Sequence, residues 1–109
     1  MTNEELRALA LSFPDACEKP HFDRASFRVD LPKGKIFATL LEADLSVNLM
    51  LTPDEQDMLV EAEPGLFSKI PNKWGEKGAT KMALPACDDA TARSAIAMAW
   101  RHAVPPRYL

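Results

Sequence analysis

The sequence contains few of the residues on which membrane, secreted and nucleotide-binding proteins depend. It has no uninterrupted apolar run of the ~18 residues that cross a membrane, so we expect no membrane partner. Two cysteines are too few for a disulfide framework, and the polar, acidic N-terminus lacks the pattern of an export signal, which together predict reduced thiols and a cytoplasmic location. With four glycines and neither a GxGxxG nor a GxxxxGK motif, nucleotide-dependent chemistry is not expected.

Residues that bind metals or act as nucleophiles are also sparse. Cys17 and His21 are four residues apart, whereas Cys87 and His102 lie far away, and no CxxC or HxxxH pair supplies the short spacings of a zinc site. We therefore predict no metal and no cofactor. A nucleophilic pair of Cys17 and His21 is geometrically feasible, but Pro20 and the absence of a nucleophile motif weaken it. We expect no catalytic residues and no enzymatic activity.

The length and composition are those of one ordinary globular domain. The chain has 109 residues, of which 47% are hydrophobic and 27% charged, so it can bury a core without metals or disulfides. No repeat, low-complexity segment or internal linker divides it. We expect a single domain over residues 1–109, and a monomer.

Charge is unevenly distributed along a chain whose formal net charge is −3. Residues 42–63 contain seven acidic and no basic residues, whereas residues 64–109 contain seven basic residues against three acidic ones. Within the latter segment four lysines fall in thirteen residues: Lys69, Lys73, Lys77 and Lys81. Such a cluster predicts either a basic patch for a polyanion or a solvated loop whose lysines maintain solubility.

Two capping boxes mark the starts of helices. In Thr2–Glu5 and Thr52–Glu55 the threonine hydroxyl can accept a hydrogen bond from the glutamate amide while the glutamate reaches back. They predict helices over residues 3–12 and 53–62. For the second helix we expect an inner face of three residues: Met58, Leu59 and Ala62.

A further helix is predicted near the C-terminus by an apolar stripe with a 3.6-residue period. Asp88 or Asp89 supplies its N-cap, and Pro105 and Pro106 end it. The stripe consists of Ala92, Ala95, Ile96, Ala99, Trp100 and Ala103. Trp100 lies on this stripe, so we expect it in the core.

Alternating apolar and polar residues predict strands. Residues 25–31, 35–41 and 47–51 are joined by short turns, which indicates a three-stranded antiparallel meander. We also expect an edge strand over 16–22 and a last strand over 79–84. Three further expectations concern the intervening segments: a helical turn starting at Leu66 and Phe67, a loop over 69–78, and Phe27, Val29, Ile36, Val47 and Leu49 packed under the first and last helices.

This order of elements predicts an α+β fold. An antiparallel sheet would be covered on one face by the N- and C-terminal helices. The other face would be open to solvent and polar, and it would carry Ser26, Arg28, Ser46 and Asn48. An open polar face beside basic loops is where we expect binding.

Trp74 is the most unusual residue of the predicted loop. It lies between Pro71 and Gly75 and is framed by lysines, as a platform for stacking nucleic-acid bases would be. The alternative is that the indole closes the edge of the core and anchors the loop.

Four segments together resemble the MmcQ/YjbR family of small bacterial proteins. These segments are residues 21–29, residues 35–40, the pair Trp74–Gly75 and residues 99–107, in the family's order and over nearly the whole chain. The resemblance implies a frataxin-like (CyaY-like) α+β architecture with two hairpin "wings", and a role in DNA binding through that double wing.

The binding positions of the family correspond to the two basic loops of this sequence. The resemblance implies binding through Lys33 and Lys35 in the first hairpin turn and through Lys69, Lys73 and Lys77 around Trp74. Arg28 of the open sheet face and Lys81 of the lysine cluster complete a candidate nucleic-acid-binding set of eight residues: Arg28, Lys33, Lys35, Lys69, Lys73, Trp74, Lys77 and Lys81. In this hypothesis the lysines contact DNA phosphates and the acidic residues of 42–63 face away.

Two other functions are consistent with the sequence. The acidic helix at 53–63 or the open sheet face can serve a protein-interaction or regulatory adaptor with an unknown partner. Alternatively, a pocket between the sheet face and the Trp74 loop can hold a small molecule.

Overall fold

A computed structural model describes all of residues 1–109. Four helices are present: α1 (Asn3–Leu11), α2 (Pro53–Ala62), α3 (Lys73–Glu76) and α4 (Asp89–Ala103). Six strands form one sheet: β1 (Ala16–His21), β2 (Arg24–Val29), β3 (Ile36–Leu41), β4 (Ser46–Met50), β5 (Phe67–Lys69) and β6 (Ala79–Ala83). None of the helices is both long and apolar enough to cross a bilayer.

The helices begin where the sequence places their caps. Thr2 and Thr52 each accept a hydrogen bond from the amide of the glutamate three residues on, and each glutamate accepts one in return from the threonine amide. The Asp88 carboxylate accepts from the Thr91 amide at 2.7 Å and caps α4. These bonds satisfy amides that the first helical turn leaves without partners, so the helix starts are confirmed.

The sheet has the strand order β1-β2-β3-β4-β6-β5, and all neighbouring strands are antiparallel. β2, β3 and β4 form the predicted meander, and β1 is the predicted edge strand. α4 packs across β2, β3 and β4, α1 packs on β1 and α4, and α2 packs on β5 and β6. The predicted α+β fold, with an antiparallel sheet covered by helices on one face, is confirmed.

A β-bulge changes which residue of β3 enters the core. The pairing of β2 with β3 shifts between Phe27 and Arg28, so that Arg28 lies opposite Ile36 instead of Phe37. Phe37 and Ala38 are therefore both fully buried, while Ile36 stays partly exposed. The expectation that Ile36 packs under the helices is wrong, whereas Phe27, Val29, Val47 and Leu49 are buried as predicted.

The inner face of α2 differs from the predicted one. Met58 is 50% exposed and Ala62 is also exposed, whereas Gln56 is buried and Leu59 is partly buried. The Nε2 group of Gln56 donates to the carbonyls of Gly75 and Ala79, at 2.9 and 2.8 Å. These bonds turn a polar residue inward, which apolar periodicity cannot predict.

The segment between α2 and β6 also contains more structure than expected. Phe67 begins strand β5 and pairs with Met82 of β6, so the predicted helical turn at this position is wrong. The predicted loop over 69–78 includes the four-residue helix α3, whose cap is Asn72. Phe67 lies in a strand because it pairs with a residue distant in the sequence. Helix α3 forms within the predicted loop because Asn72 caps it.

The polar face of the sheet is less open than predicted. Ser26 and Ser46 are buried, since their hydroxyls donate to the Lys19 carbonyl and to the Asp44 carboxylate. Arg28 and Asn48 are half-buried. The outer face is thus less exposed than predicted, and it contains the cleft described below.

Candidate nucleic-acid interface

The turn between β2 and β3 projects two lysines into solvent. Gly34 is required in this turn because an added Cβ would lie 2.0 Å from the Val29 carbonyl oxygen. Lys33 adopts a positive φ of 67°, and the Lys35 amide donates to the Ala103 carbonyl at the end of α4. The turn is therefore fixed by backbone bonds while both lysine side chains are exposed.

Helix α3 presents Trp74 on the surface. The Asn72 side chain accepts hydrogen bonds from the amides of Trp74 and Gly75, and the Gln56 side chain donates one to the Gly75 carbonyl. Gly75 packs against the Ile70 backbone, with no room for a Cβ. The indole of Trp74 is nevertheless 66% exposed, so Trp74 does not close the edge of the core.

The two predicted lysine loops meet at one end of the sheet. Lys35 and Lys77 border the same cleft of about 430 Å³, together with His102 and the first residues of α2. We call the group Lys33, Lys35, Lys73 and Lys77 the lysine end. The Nζ of Lys77 also lies 5.7 Å from the centroid of the Trp74 ring.

Not all acidic residues of 42–63 face away from this end. Glu55 accepts a hydrogen bond from the Nε2 of His102 at 2.7 Å, beside the cleft that Lys35 and Lys77 border. Burial alone would raise the pKa of Glu55, but the bonds from the Thr52 amide and from His102 together outweigh it, so this pKa lies below its ordinary value. The expected separation of acids and lysines is wrong at this carboxylate.

The remaining predicted binding residues differ in their exposure and in their partners. Lys69 is exposed at the end of β5, and Lys73 is exposed as the first residue of α3. Lys81 pairs with Asp44 at 2.9 Å, and this bond holds the pKa of Asp44 below its usual value. Arg28 is half-buried on β2, and its Nε is buried without a hydrogen-bond partner.

Lys81 differs from the other predicted lysines because it forms an ion pair. Salt bridges involve Arg7, Arg93, Lys81 and His102, and none involves a residue of the lysine end or Lys69. Five of the six predicted lysines therefore carry charges without a carboxylate partner, while that of Lys81 is balanced by Asp44.

A second cleft of about 430 Å³ crosses the outer face of the sheet and is walled by Trp74. Its floor includes two opposed residues of β3 and β4, Thr39 and Asn48. We call it the Trp74 cleft. It is lined by His21, Arg24, Ile36, Thr39, Asn48, Met50, Ile70, Asn72, Trp74 and Ala79.

Most of the chain matches a known protein family. The sequence model of the YjbR family matches residues 11–102, which is most of the chain. The chain belongs to the YjbR family. The family resemblance stated from the sequence is thereby confirmed.

A solved structure supports the fold of this YjbR protein. The crystal structure of the Deinococcus radiodurans protein DR2400, described as a DUF419 domain, superposes with a TM-score of 0.65 at 19% sequence identity. The match covers 90% of this chain and 72% of that chain. The similarity shows a shared fold. No curated protein matches this chain closely enough to count as a relative.

The Trp74 cleft of this YjbR protein contains residues that the sequence pattern does not mark as binding residues. Thr39 is the main one, and its signal was a polar residue within the apolar stretch 35–41. His21 and Arg24 reach the cleft from the β1–β2 hairpin. Sequence alone does not reveal that a hairpin end and the Trp74 loop border one cavity.

Proposed function

We propose that this protein binds nucleic acid without catalysis, and that the lysine end contacts backbone phosphates. One observation carries the proposal: Lys35 and Lys77, forty-two positions apart in the sequence, border one cleft, and neither has a carboxylate partner. Unpaired cations brought together by the fold are suited to a polyanion.

The net charge of −3 does not oppose such binding. At physiological salt the field of a charge extends only ~8 Å, so the groups near the contact decide the interaction. Within the acidic segment, Glu55 beside the cleft is engaged by His102, and Asp44 is engaged by Lys81. Glu76 and Asp54 are exposed acids beside the lysine end.

Arg28 gives further support. Its Nε has no partner within the protein although it is buried, and no salt bridge includes its guanidinium. β2, which carries Arg28, leads directly into the Lys33 turn. Phosphate oxygens are strong acceptors for the part of this half-buried guanidinium that lies at the surface.

The test is the salt dependence of DNA binding, measured by fluorescence anisotropy with a labelled duplex between about 50 and about 200 mM salt. Four to five phosphate contacts predict a slope of log affinity against log salt of about −4. Replacing Lys35 and Lys77 together by alanine should make this slope shallower by about two and weaken all sequences alike.

The matched control removes two charges elsewhere. The double variant Lys81→Ala and Arg93→Ala changes the net charge equally, but both residues are already paired with carboxylates. It should leave the slope near that of the wild type. Equal slopes for the two double variants would contradict the proposal, as would absence of salt-dependent binding at micromolar protein in the lowest salt. In that case a protein-interaction role leads, and the hairpin tip with Phe22, 95% exposed, is its best-placed contact.

A further inference from the structure

The Trp74 cleft lies beside the lysine end but is distinct from the cleft that Lys35 and Lys77 border. Ile36 follows Lys35 directly on β3, and Trp74 lies between Lys73 and Lys77. A strand of nucleic acid whose phosphates contact these lysines would therefore pass the mouth of the cleft.

The walls of the Trp74 cleft combine apolar and polar groups in the manner of a site for a flat heterocycle. Ile36, Met50 and the Trp74 indole supply apolar and aromatic surface. Thr39 and Asn48 face each other across β3 and β4 and supply a hydroxyl and an amide. Ligand sites are typically apolar cavities with a few polar groups that fix orientation, and a volume of about 430 Å³ lies in their usual range.

Two polar side chains of the cleft, those of Thr39 and Asn48, make no hydrogen bond within the protein. Thr39 is only 7% exposed, yet the hydrogen bonds of the protein use its backbone carbonyl, which accepts from Arg24, and not its hydroxyl. The half-buried side chain of Asn48 likewise makes none. Both side chains are therefore free to bond the polar edge of a ligand that enters the cleft.

We infer that the Trp74 cleft binds a single unpaired nucleobase, with the indole of Trp74 stacked on its face and with Thr39 and Asn48 bonded to its edge. This inference rests on the proposed function for the source of the base, which is a single strand held at the lysine end. A paired base cannot enter, because its edge and both faces are occupied within the duplex. The cleft therefore favours single strands, whose affinity one stacked base raises by about tenfold.

The experiment separates base binding from phosphate binding. Wild-type protein is titrated with a thymidine 12-mer and with an abasic 12-mer of the same backbone. We expect the thymidine strand to bind about tenfold more tightly, because a stacked base is typically worth a factor of this size. The variants Asn48→Ala and Thr39→Val should lose most of this preference while retaining the salt slope, and Lys35→Ala should reduce the slope while retaining the preference. Thermal unfolding of each variant establishes that it is folded.

Free thymidine monophosphate distinguishes the two sources of the base. If neither 12-mer binds but the monophosphate quenches Trp74 fluorescence in the wild type and not in Asn48→Ala, the proposed function fails and the cleft takes a free nucleotide. If both 12-mers bind with equal affinity, phosphate binding stands and the inference about the cleft is overturned. A preference that persists unchanged in Asn48→Ala and Thr39→Val also overturns it, as does the absence of binding by all three ligands.

Discussion

The ammonium group of Lys77 lies over the indole of Trp74, with the nitrogen 5.7 Å from the ring centroid. At an exposed site such a cation–π contact contributes roughly 0.5–1 kcal/mol, enough to favour one arrangement of two otherwise free side chains. The contact keeps a positive charge beside the face of the ring. An anionic group drawn to Lys77 is therefore also brought to Trp74, which couples the lysine end to the Trp74 cleft.

Replacing Trp74 should barely change stability. The indole is 66% exposed, and its backbone is held by Asn72 and not by the ring. We expect Trp74→Ala to lower the melting temperature by about 5 °C or less, which is what loss of the exposed contact with Lys77 costs. Trp100 provides the contrast, because its Nε1 donates to the Pro14 carbonyl at 3.0 Å and its ring packs against Phe13. Trp100→Ala should lower the melting temperature clearly more, and a reversed order would show that Trp74 is a core residue.

Two phenylalanines of the same hairpin should respond in opposite ways. Phe27 is fully buried under the helices, whereas Phe22 at the hairpin tip is 95% exposed. Phe27→Ala should cost about 3–5 kcal/mol of unfolding free energy in a urea titration, because it leaves a large cavity. Phe22→Ala removes the same atoms from water-exposed surface and should be nearly neutral. A small effect at Phe27 would place that ring outside the core.

The parts of this fold that local chemistry determines were predictable from sequence. The caps at Thr2 and Thr52 lie within four residues of the groups that they bond, and alternation along β2 marks its buried face without knowledge of its partners. The lysine loops were likewise visible as a cluster of charge. These features depend on neighbours in the chain.

The parts that distant contacts determine were not predictable. The bulge that turns Phe37 inward depends on the register between two strands, and β5 exists because Phe67 meets Met82. The ion pair of Lys81 joins it to a residue on another element, and it removes one member of the predicted binding set from the free cations. Exposure of Trp74 was equally undecidable, because the same loop composition suits a buried anchor and an exposed platform.

Gln56 should support the position of α3. Its buried amide donates to the Gly75 and Ala79 carbonyls, and Gln56→Leu would remove both bonds, which leaves these carbonyls only the bonds from the Gly78 and Ile70 amides. We expect a loss of about 1–3 kcal/mol in urea unfolding and faster hydrogen exchange of amides 73–79. Asp57→Ala, at the exposed neighbouring position, is the control and should change neither. Unaltered exchange in Gln56→Leu would mean that α3 is held by other contacts.

The carboxylate of Glu55 should make stability depend on acid pH. Because its pKa is lowered in the folded protein, Glu55 stabilises the fold above its ordinary pKa and loses this contribution as the pH falls through the folded value. Glu55→Gln retains the capping geometry but not the charge. We expect it to be less stable than the wild type at pH 7, with the difference disappearing on acidification from about pH 5 to about pH 3. For the control Glu61→Gln, on the exposed side of α2, the free energy of unfolding should change with pH as it does for the wild type. The same pH dependence in Glu55→Gln would contradict the stabilising role of the Glu55 carboxylate.

The two cysteines should be free but unequal in reactivity. Both thiols are unbonded, with Cys17 half-buried on β1 and Cys87 buried. Burial, with the nearby Asp88 carboxylate, raises the pKa of Cys87, and since the thiolate is the reactive form, Cys87 should alkylate slowly in the native protein. Mass spectrometry of freshly purified, non-reduced protein should show one rapid addition at Cys17 and a second at Cys87 only on long exposure or in denaturant. Fewer than two additions after unfolding would reveal an oxidised thiol, and faster labelling of Cys87 would contradict its burial.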